Sequence, residues 1–485
     1  MLVDFHPQNM KRSLVFLVLL LSVGSTAFAQ PVFRGTEIFP PEEFAARRAK
    51  LIAQIGDAVA IVLGTTEPPG EMPFRQNSQF FYLTGVAEPR AIVIIDGRTK
   101  KTTLFLTQHS ERQDQSMYGP GLNPGADPAA LGVDAVVSTS DFTKALTAIR
   151  GENRVIYTPF AAEVLGGQSQ GDPTRYWKTN HDDPWDGRDS REATFIAKLK
   201  AFAPQAEIKD LDPIENALRL IKSPREIAII REATNIAGLG IMEAMRDAKP
   251  GMKEYQLQAD SEFVFKQHGA LGAAYFALIA TGKNTYYTHY NRNTATLADG
   301  DLVQYDYAPD YKYYQSDVTR VFPANGKFTP RQREAYEIYL KLYQALMTSI
   351  KPRQTASEII KAALPKMDAI MASYKFTDSK IKNAAEKFVA NYREHADKAK
   401  ALGHWVGMEV HDVGGHEGPL LPGEVFTIEP EMRIEEDHTG IRLEDMLLIT
   451  ENGYEQLSAF VPIEIADIEK LMAEKGLSDS MLKLK

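Results

Sequence analysis

The sequence predicts an α/β domain in its amino-terminal half and an α+β domain in its carboxy-terminal half, the second built on an antiparallel sheet with helices packed on one side. Three observations carry this. From about residue 37 to 210 helical and strand periodicities alternate. From about 211 to 470 helices alternate with paired strand runs rather than single strands, which suits hairpins in an antiparallel sheet. Finally, the 485 residues, 44% hydrophobic and 25% charged, supply enough chain for more than one core.

The first segment precedes both domains. Lys11 and Arg12 lead an apolar run from Leu14 to Val23, and Ala27-Phe28-Ala29 before Gln30 has the small-x-small pattern of a cleavage site. Residues 1–29 therefore read as a secretory signal peptide whose apolar core is too short for an ordinary membrane helix. The expected location is periplasmic or secreted, with no stable membrane association after cleavage. The chain has no cysteine, which excludes disulfides, thiol catalysis and thiolate metal sites. A net charge of −9 with scattered Lys and Arg argues against nucleic acid as a partner.

In the 37–210 domain, Glu42 to Gln54 reads as an amphipathic helix, and Ala58 to Leu63, Phe80 to Thr84, Ala91 to Asp96 and Thr102 to Thr107 read as strands. PFRQNSQFFYLTG (residues 73–85) reads as strand and loop packing. The stretch from Gly166 to Arg191, rich in Gly, Asp, Asn and Pro, reads as one long loop. In the 211–470 domain, Ser223-Pro224-Arg225-Glu226, Thr329-Pro330-Arg331-Gln332 and Thr355-Ala356-Ser357-Glu358 are capping boxes that open helices. The tail from 471 to 485 is short, amphipathic and expected to be peripheral.

Two hairpins carry the chemistry. Asp306 and Asp317 lie in strand runs on either side of a turn at Tyr311 and Lys312, so antiparallel pairing puts them about opposite each other. Glu429 and Glu444 are likewise centred on Glu436 and Asp437. Between the hairpins in sequence, GHWVGMEVHDVGG places His404 among glycines that permit close backbone approach, with His411 seven residues on. Four carboxylates and an imidazole converge. Such a cluster cannot be buried unless cations offset it, and two divalent ions would. Ligation mostly by oxygen favours manganese, cobalt or iron(II) over a structural zinc.

These motifs resemble those of aminopeptidase P, the Xaa-Pro aminopeptidases, within the pita-bread metallopeptidases. The resemblance runs through PFRQNSQFFYLTG, IKSPREIAIIREA, DGDLVQYDYA, SDVTRVFPANGKFTPRQRE, GHWVGMEVHDVGG, TIEPEM and GIRLEDM. It implies a pita-bread fold for the second domain and a metal set of Asp306, Asp317, His404, Glu429 and Glu444, with Asp317 and Glu444 bridging two ions. Mn2+ is the expected metal, with Co2+ and Zn2+ as alternatives. The resemblance further implies that Glu429 accepts a proton, that His289 in THYN and His411 contact substrate, and that Arg442 supports the ligands from behind. The implied substrates are peptides with proline second, and the implied assembly is a homo-oligomer, a dimer or tetramer. Two positions depart from the family pattern: Lys400 stands where a histidine is usual and Glu431 where glycine follows the Glu-Pro pair. Neither is a ligand, so they bear on substrate preference. Lys400 is expected to point to solvent, since a lysine beside two divalent cations would be repelled. The alternatives are a prolidase restricted to dipeptides and a metal-free binding module of the same fold.

Overall fold

The computed structural model describes residues 38–479 apart from 69, 71, 112–120 and 415–417. The signal-peptide segment lies outside the described residues. Among those described, no helix is long and apolar enough to cross a membrane.

The amino-terminal domain is a six-stranded mixed sheet. Its strands are β1 (Val59–Leu63), β2 (Ile92–Asp96), β3 (Lys101–Leu106), β4 (Ala135–Ser138), β5 (Ile156–Thr158) and β6 (Ile208–Asp210), in the order β4-β3-β2-β1-β5-β6. The central pairs β1–β2 and β2–β3 are antiparallel and the outer ones parallel. Helices α1 (Pro41–Ile55), α2 (Ser78–Thr84), α3 (Phe142–Glu152), α4 (Asp172–Asp182) and α5 (Arg191–Phe202) accompany it. Two expectations are corrected here. Phe80 to Thr84 is helical, not a strand: the Asn77 side chain accepts the Phe80 N–H at 2.8 Å and caps a helix whose seven residues are all buried. A run buried on every side has no periodicity to betray its type. The stretch from 166 to 191 is not one long loop, because α4 occupies its centre, started by Pro173 in its first turn.

Segment 73–85 is also more than internal packing. Its Arg75 Nε pairs with Asp310 Oδ2 at 2.5 Å, its Nη2 donates to the Met408 carbonyl at 3.4 Å, and its guanidinium lies 4.7 Å from the Tyr313 ring centre. Phe81 stacks on Tyr313 at 3.7 Å. The two domains are thus joined through a turn of the second.

The carboxy-terminal domain opens with α6 (Asp212–Leu220), α7 (Pro224–Asp247) and α8 (Glu254–Gln267), and continues with α9 (Pro330–Met347), α10 (Ala356–Ser373), α11 (Ser379–His395) and α12 (Ile465–Leu471). The capping boxes at Ser223, Thr329 and Thr355 are all formed. The described part of the tail docks on α7, where Ser478 and Leu477 N–H groups bind Asp247 and Glu243.

Every strand pair in this domain is antiparallel. Strand β9 (Leu302–Asp306) lies between β8 (Leu278–Thr281) and β12 (Thr319–Pro323); β10 (Pro309–Tyr311) lies between β7 (Gly272–Ala273) and β11 (Tyr314–Gln315). A second ladder joins β13 (Val425–Ile428) to β16 (Asp445–Ile449), flanked by β17 (Tyr454–Gln456), and β14 (Glu431–Ile434) to β15 (Thr439–Arg442). Both halves of that ladder keep one register, Ile428 opposite Asp445 and Glu431 opposite Arg442, which puts Glu429 opposite Glu444 as expected.

The first hairpin differs from expectation. Its turn is centred on Lys312 and Tyr313, so Asp306 pairs with Thr319 rather than Asp317. A shift of two preserves side-chain parity, so both aspartates still share a face. The two turn residues take left-handed φ values of 52° and 70°, which hairpin turns of this kind require and non-glycine residues resist. The Phe81 stack and Arg75 contact on Tyr313 hold that conformation.

The hairpins meet at one backbone pair. Thr319 N–H donates to the Glu444 carbonyl at 3.3 Å and Glu444 N–H to the Thr319 carbonyl at 3.1 Å. Arg320, fully buried, stitches this seam: it donates to the Thr319 carbonyl at 2.9 Å, the Glu444 carbonyl at 2.8 Å and Asp445 Oδ1 at 2.7 Å. Arg320→Leu should therefore cost about 3–5 kcal/mol of stability, because it strands the buried Asp445 carboxylate. The double variant Arg320→Leu/Asp445→Leu should recover part of that loss in urea titrations.

Candidate metal centre

The seam places four carboxylates on adjacent strands. Asp306 ends β9, Asp317 precedes β12, Glu444 sits between β15 and β16, and Glu429 between β13 and β14. His404 enters from a segment that runs beside β13, where Thr427 N–H donates to its carbonyl at 2.8 Å. The flanking glycines are needed for this approach. A Cβ on Gly403 would lie 2.2 Å from the Thr427 carbonyl oxygen, and one on Gly407 would lie 2.0 Å from Asp412 Oδ2.

His404 Nε2 lies 3.4 Å from Asp317 Oδ2 and 3.5 Å from both Glu429 Oε1 and Glu444 Oε1. One ligand atom each from Asp317, His404 and Glu444 falls within a 4.8 Å spread. Asp306 joins the group through two shared partners. The Tyr275 hydroxyl lies 2.6 Å from both Asp306 Oδ1 and Asp317 Oδ1, and Arg442 Nη2 donates to Asp306 Oδ2 while its Nη1 stands 3.9 Å from Glu429 Oε2. Thr319 Oγ1 donates to Glu444 Oε2 at 2.8 Å.

This donor set fits divalent metal. Glu444 Oε1 is buried and makes no hydrogen bond. A phenol carries one proton, so Tyr275 cannot satisfy two aspartate oxygens at once. Four carboxylates facing one guanidinium leave a net negative charge that divalent metal would offset.

The titration behaviour of the protein groups alone tells the same story. Burial, then repulsion from Glu444, pushes Glu429 up to about 7, while burial, Glu444 and Asp306 push Asp317 well above the usual carboxylate range. Burial also raises Asp306 against the pull of Arg442. Burial would raise Glu444 too, but its contacts with His404 and Arg442 outweigh that and bring it down to about 2. Burial likewise opposes the charged form of His404, yet its carboxylate neighbours raise it well above the ordinary imidazole value.

The remaining residues singled out from the sequence lie around this group. The His411 ring meets His404 edge-on, with centres 4.0 Å apart, and burial followed by repulsion from His404 pushes it down to about 4. His289 is exposed, on the turn after a short 3-10 helix, Gly282–Tyr286. Glu431 has a visible role there: its Oε2 accepts from Thr288 Oγ1 at 2.9 Å and from Arg433 Nη2 at 2.6 Å, tying the residue next to His289 to β14. Lys400 is exposed. Tyr275, Thr319 and Arg320 escaped sequence reading. Thr319 could have been found from its shared face with Asp317, but Tyr275, in an apolar run, gives no sequence signal.

Two family descriptions match the chain: "Aminopeptidase P, N-terminal domain" over residues 44–157 and "Metallopeptidase family M24" over residues 228–451. The Xaa-Pro aminopeptidase of Escherichia coli K12 is 32% identical over 455 residues, covering 89% of this chain and 97% of the relative. The chain belongs to the aminopeptidase P family. The Xaa-Pro aminopeptidase of Haemophilus influenzae matches equally, at 32% over 456 residues, 89% of this chain and 97% of its own. Among solved structures, proline aminopeptidase P II from Yersinia pestis aligns with a TM-score of 0.70 at 31% identity, covering 90% of this chain and all of that one. Aminopeptidase P from E. coli with the inhibitor Pro-Leu aligns with a TM-score of 0.70 at 29% identity, covering 90% and 98%. As a member of this family the chain is a hydrolase of the metallopeptidase class, with the pita-bread catalytic domain preceded by the aminopeptidase P amino-terminal domain.

Metal must displace protons from the raised carboxyls, which gives a pH signature. In the metal-free protein Glu429 holds its proton from its ordinary value of 4.5 up to about 7, so its contribution to stability is present below about 4.5 and lost as pH rises through 7. Added Mn2+ should therefore raise the melting temperature more at about pH 8 than at about pH 6, measured by scanning calorimetry on the chelated and desalted protein.

Proposed function

We propose that this aminopeptidase P is a dinuclear metalloenzyme that releases the N-terminal residue from peptides of the form Xaa-Pro-Yaa. The observation that carries the reading is the convergence of Asp317, Glu429 and Glu444 on His404, with Asp306 held beside them by Tyr275 and Arg442. The curated relatives' name, Xaa-Pro aminopeptidase, supports the substrate class.

Asp306, Asp317, His404, Glu429 and Glu444 would hold the two ions, Mn2+ being the metal this oxygen-rich set favours over Co2+ or Zn2+. When bound, the ions supply an acidified water and polarise the scissile carbonyl. The chain's own residues do the rest. Glu429 is the most accessible of the four carboxylates, with 28% of its side chain exposed, and it accepts the proton of the attacking water. Arg442 fixes Asp306 in place and keeps a positive charge behind the cluster. His289 and His411 receive the substrate around the scissile carbonyl. The nitrogen of an Xaa-Pro bond has no hydrogen, so proline is selected by the shape of its ring rather than by a hydrogen bond to that nitrogen.

An aminopeptidase leaves the far end of its substrate open, whereas a prolidase needs a cation there for the free carboxylate. Lys400, the candidate for that cation, is exposed, which favours the open end. The basic, apolar and small-residue order of residues 11–29 supports action outside the cytoplasm after signal cleavage, and the family resemblance supports a dimer or tetramer.

Two experiments test this. Manganese-loaded protein should cleave Ala-Pro-Ala faster than Ala-Pro and leave Ala-Ala-Ala intact; a clear preference for Ala-Pro would make it a prolidase, and cleavage of neither would favour a binding module. Glu429→Gln should keep the fold, by circular dichroism, and lose at least ~10²-fold in kcat. A variant within about twofold of the parent would remove Glu429 from the proton-acceptor role.

A further inference from the structure

The loop that precedes α4 reaches from the amino-terminal domain to the metallopeptidase domain. At its start Gly166 is pressed against Arg75: a Cβ there would lie 2.6 Å from Arg75 Cδ. Since Arg75 is itself paired with Asp310 of the other domain at 2.5 Å, the loop begins at a point anchored across the domain boundary. Its far end is fixed too. Asp172 Oδ2 accepts the Ser169 N–H at 2.7 Å, and the Gln170 N–H donates to the His411 carbonyl at 3.0 Å. Between these anchors Ser169 Oγ lies 2.8 Å from His411 Nδ1.

We infer that Ser169 is a positioning residue for His411, supplied by a domain that carries none of the metal-site residues. A neutral imidazole has one nitrogen that donates and one that accepts, and whichever partner engages one nitrogen decides what the other offers. A backbone carbonyl at Nδ1 would hold the proton there and leave Nε2 as an acceptor. A hydroxyl can instead donate to Nδ1, which leaves the proton on Nε2, the form able to donate to a substrate carbonyl oxygen. Among the described residues Nδ1 is the ring nitrogen that the protein engages. The Gln170 contact holds the backbone of His411 and Ser169 holds its ring, and with the Ser169 hydroxyl as the donor to Nδ1 the amino-terminal domain sets both the place and the tautomer of His411. This assignment rests on the proposed role of His411 toward Xaa-Pro peptides, while the Ser169 contact itself stands apart from that role.

The test uses the full chain and two variants, Ser169→Ala and Ser169→Thr. With manganese and Ala-Pro-Ala, Ser169→Ala should lose about tenfold in kcat with KM changed less than about twofold, and Ser169→Thr, which keeps the hydroxyl, should stay within about threefold of the parent. In the metal-free protein, ¹⁵N spectra of the histidine side chains, with His411 assigned by its loss in His411→Gln, should show an accepting Nδ1 and a protonated Nε2 in the parent and in Ser169→Thr. Ser169→Ala should show exchange-averaged shifts at an unchanged melting temperature. Equal kcat in the parent and Ser169→Ala, an equal loss in both variants, or identical His411 spectra in parent and Ser169→Ala would each overturn the inference. If the parent itself fails to cleave Ala-Pro-Ala, the substrate reading falls, and the spectra still decide the Ser169 contact.

Discussion

The structure depends on one backbone pairing, Thr319 with Glu444, where two hairpins far apart in sequence become neighbours. Each hairpin alone carries two carboxylates, which its own partner residues could tolerate. Joined, the hairpins hold four, and the repulsion must be offset by whatever the seam can supply. The protein supplies Arg320 beneath the seam, paired with Asp445, and Arg442 beside it, paired with Asp306. Arg320 serves the backbone and Arg442 the cluster. The remaining deficit is what divalent metal would fill. The catalytic domain is an antiparallel scaffold that holds these acidic groups together on paired strands.

The amino-terminal domain contributes through contacts that converge on the same place. Arg75 and Phe81 hold the Lys312-Tyr313 turn of the hairpin bearing Asp306 and Asp317. The 165–172 loop holds His411. A buried charge group completes the interface side of His411, with Lys222 donating to Asp412 Oδ2 at 2.9 Å and Arg219 to Asp412 Oδ1 at 2.6 Å. Asp412, next to His411, is thus fixed within the carboxy-terminal domain, while motion between the domains would part His411 from Ser169 and Gln170. Such a domain matters to the site without touching a metal.

Much of this was legible in the sequence, and the limits have physical causes. The Glu429–Glu444 pairing could be read because a hairpin's midpoint fixes its register, and the ladder on both sides of Glu429 keeps it. The same reasoning placed Asp306 and Asp317 on the right face but two residues out of register, since a turn through Lys312 and Tyr313 needs positive φ that nothing in those side chains announces. Only the other domain explains it. FFYLT reads as a strand from its composition, yet it is a helix because Asn77 caps it and surrounding chain buries every side. Tyr275, Ser169 and Arg75 could not be assigned, because what each does is defined by partners more than thirty residues away. Local pattern carries faces and caps; it does not carry which distant surface will meet them.

The central proposal is that the acidic seam holds two divalent cations. It is tested most directly by elemental analysis of the protein after loading with Mn2+ and desalting, beside Asp317→Asn treated in the same way. The account predicts about two ions per chain in the parent and no more than about one in the variant, as expected if Asp317 is shared between them. A parent that retains full activity on Ala-Pro-Ala with no metal bound would contradict it.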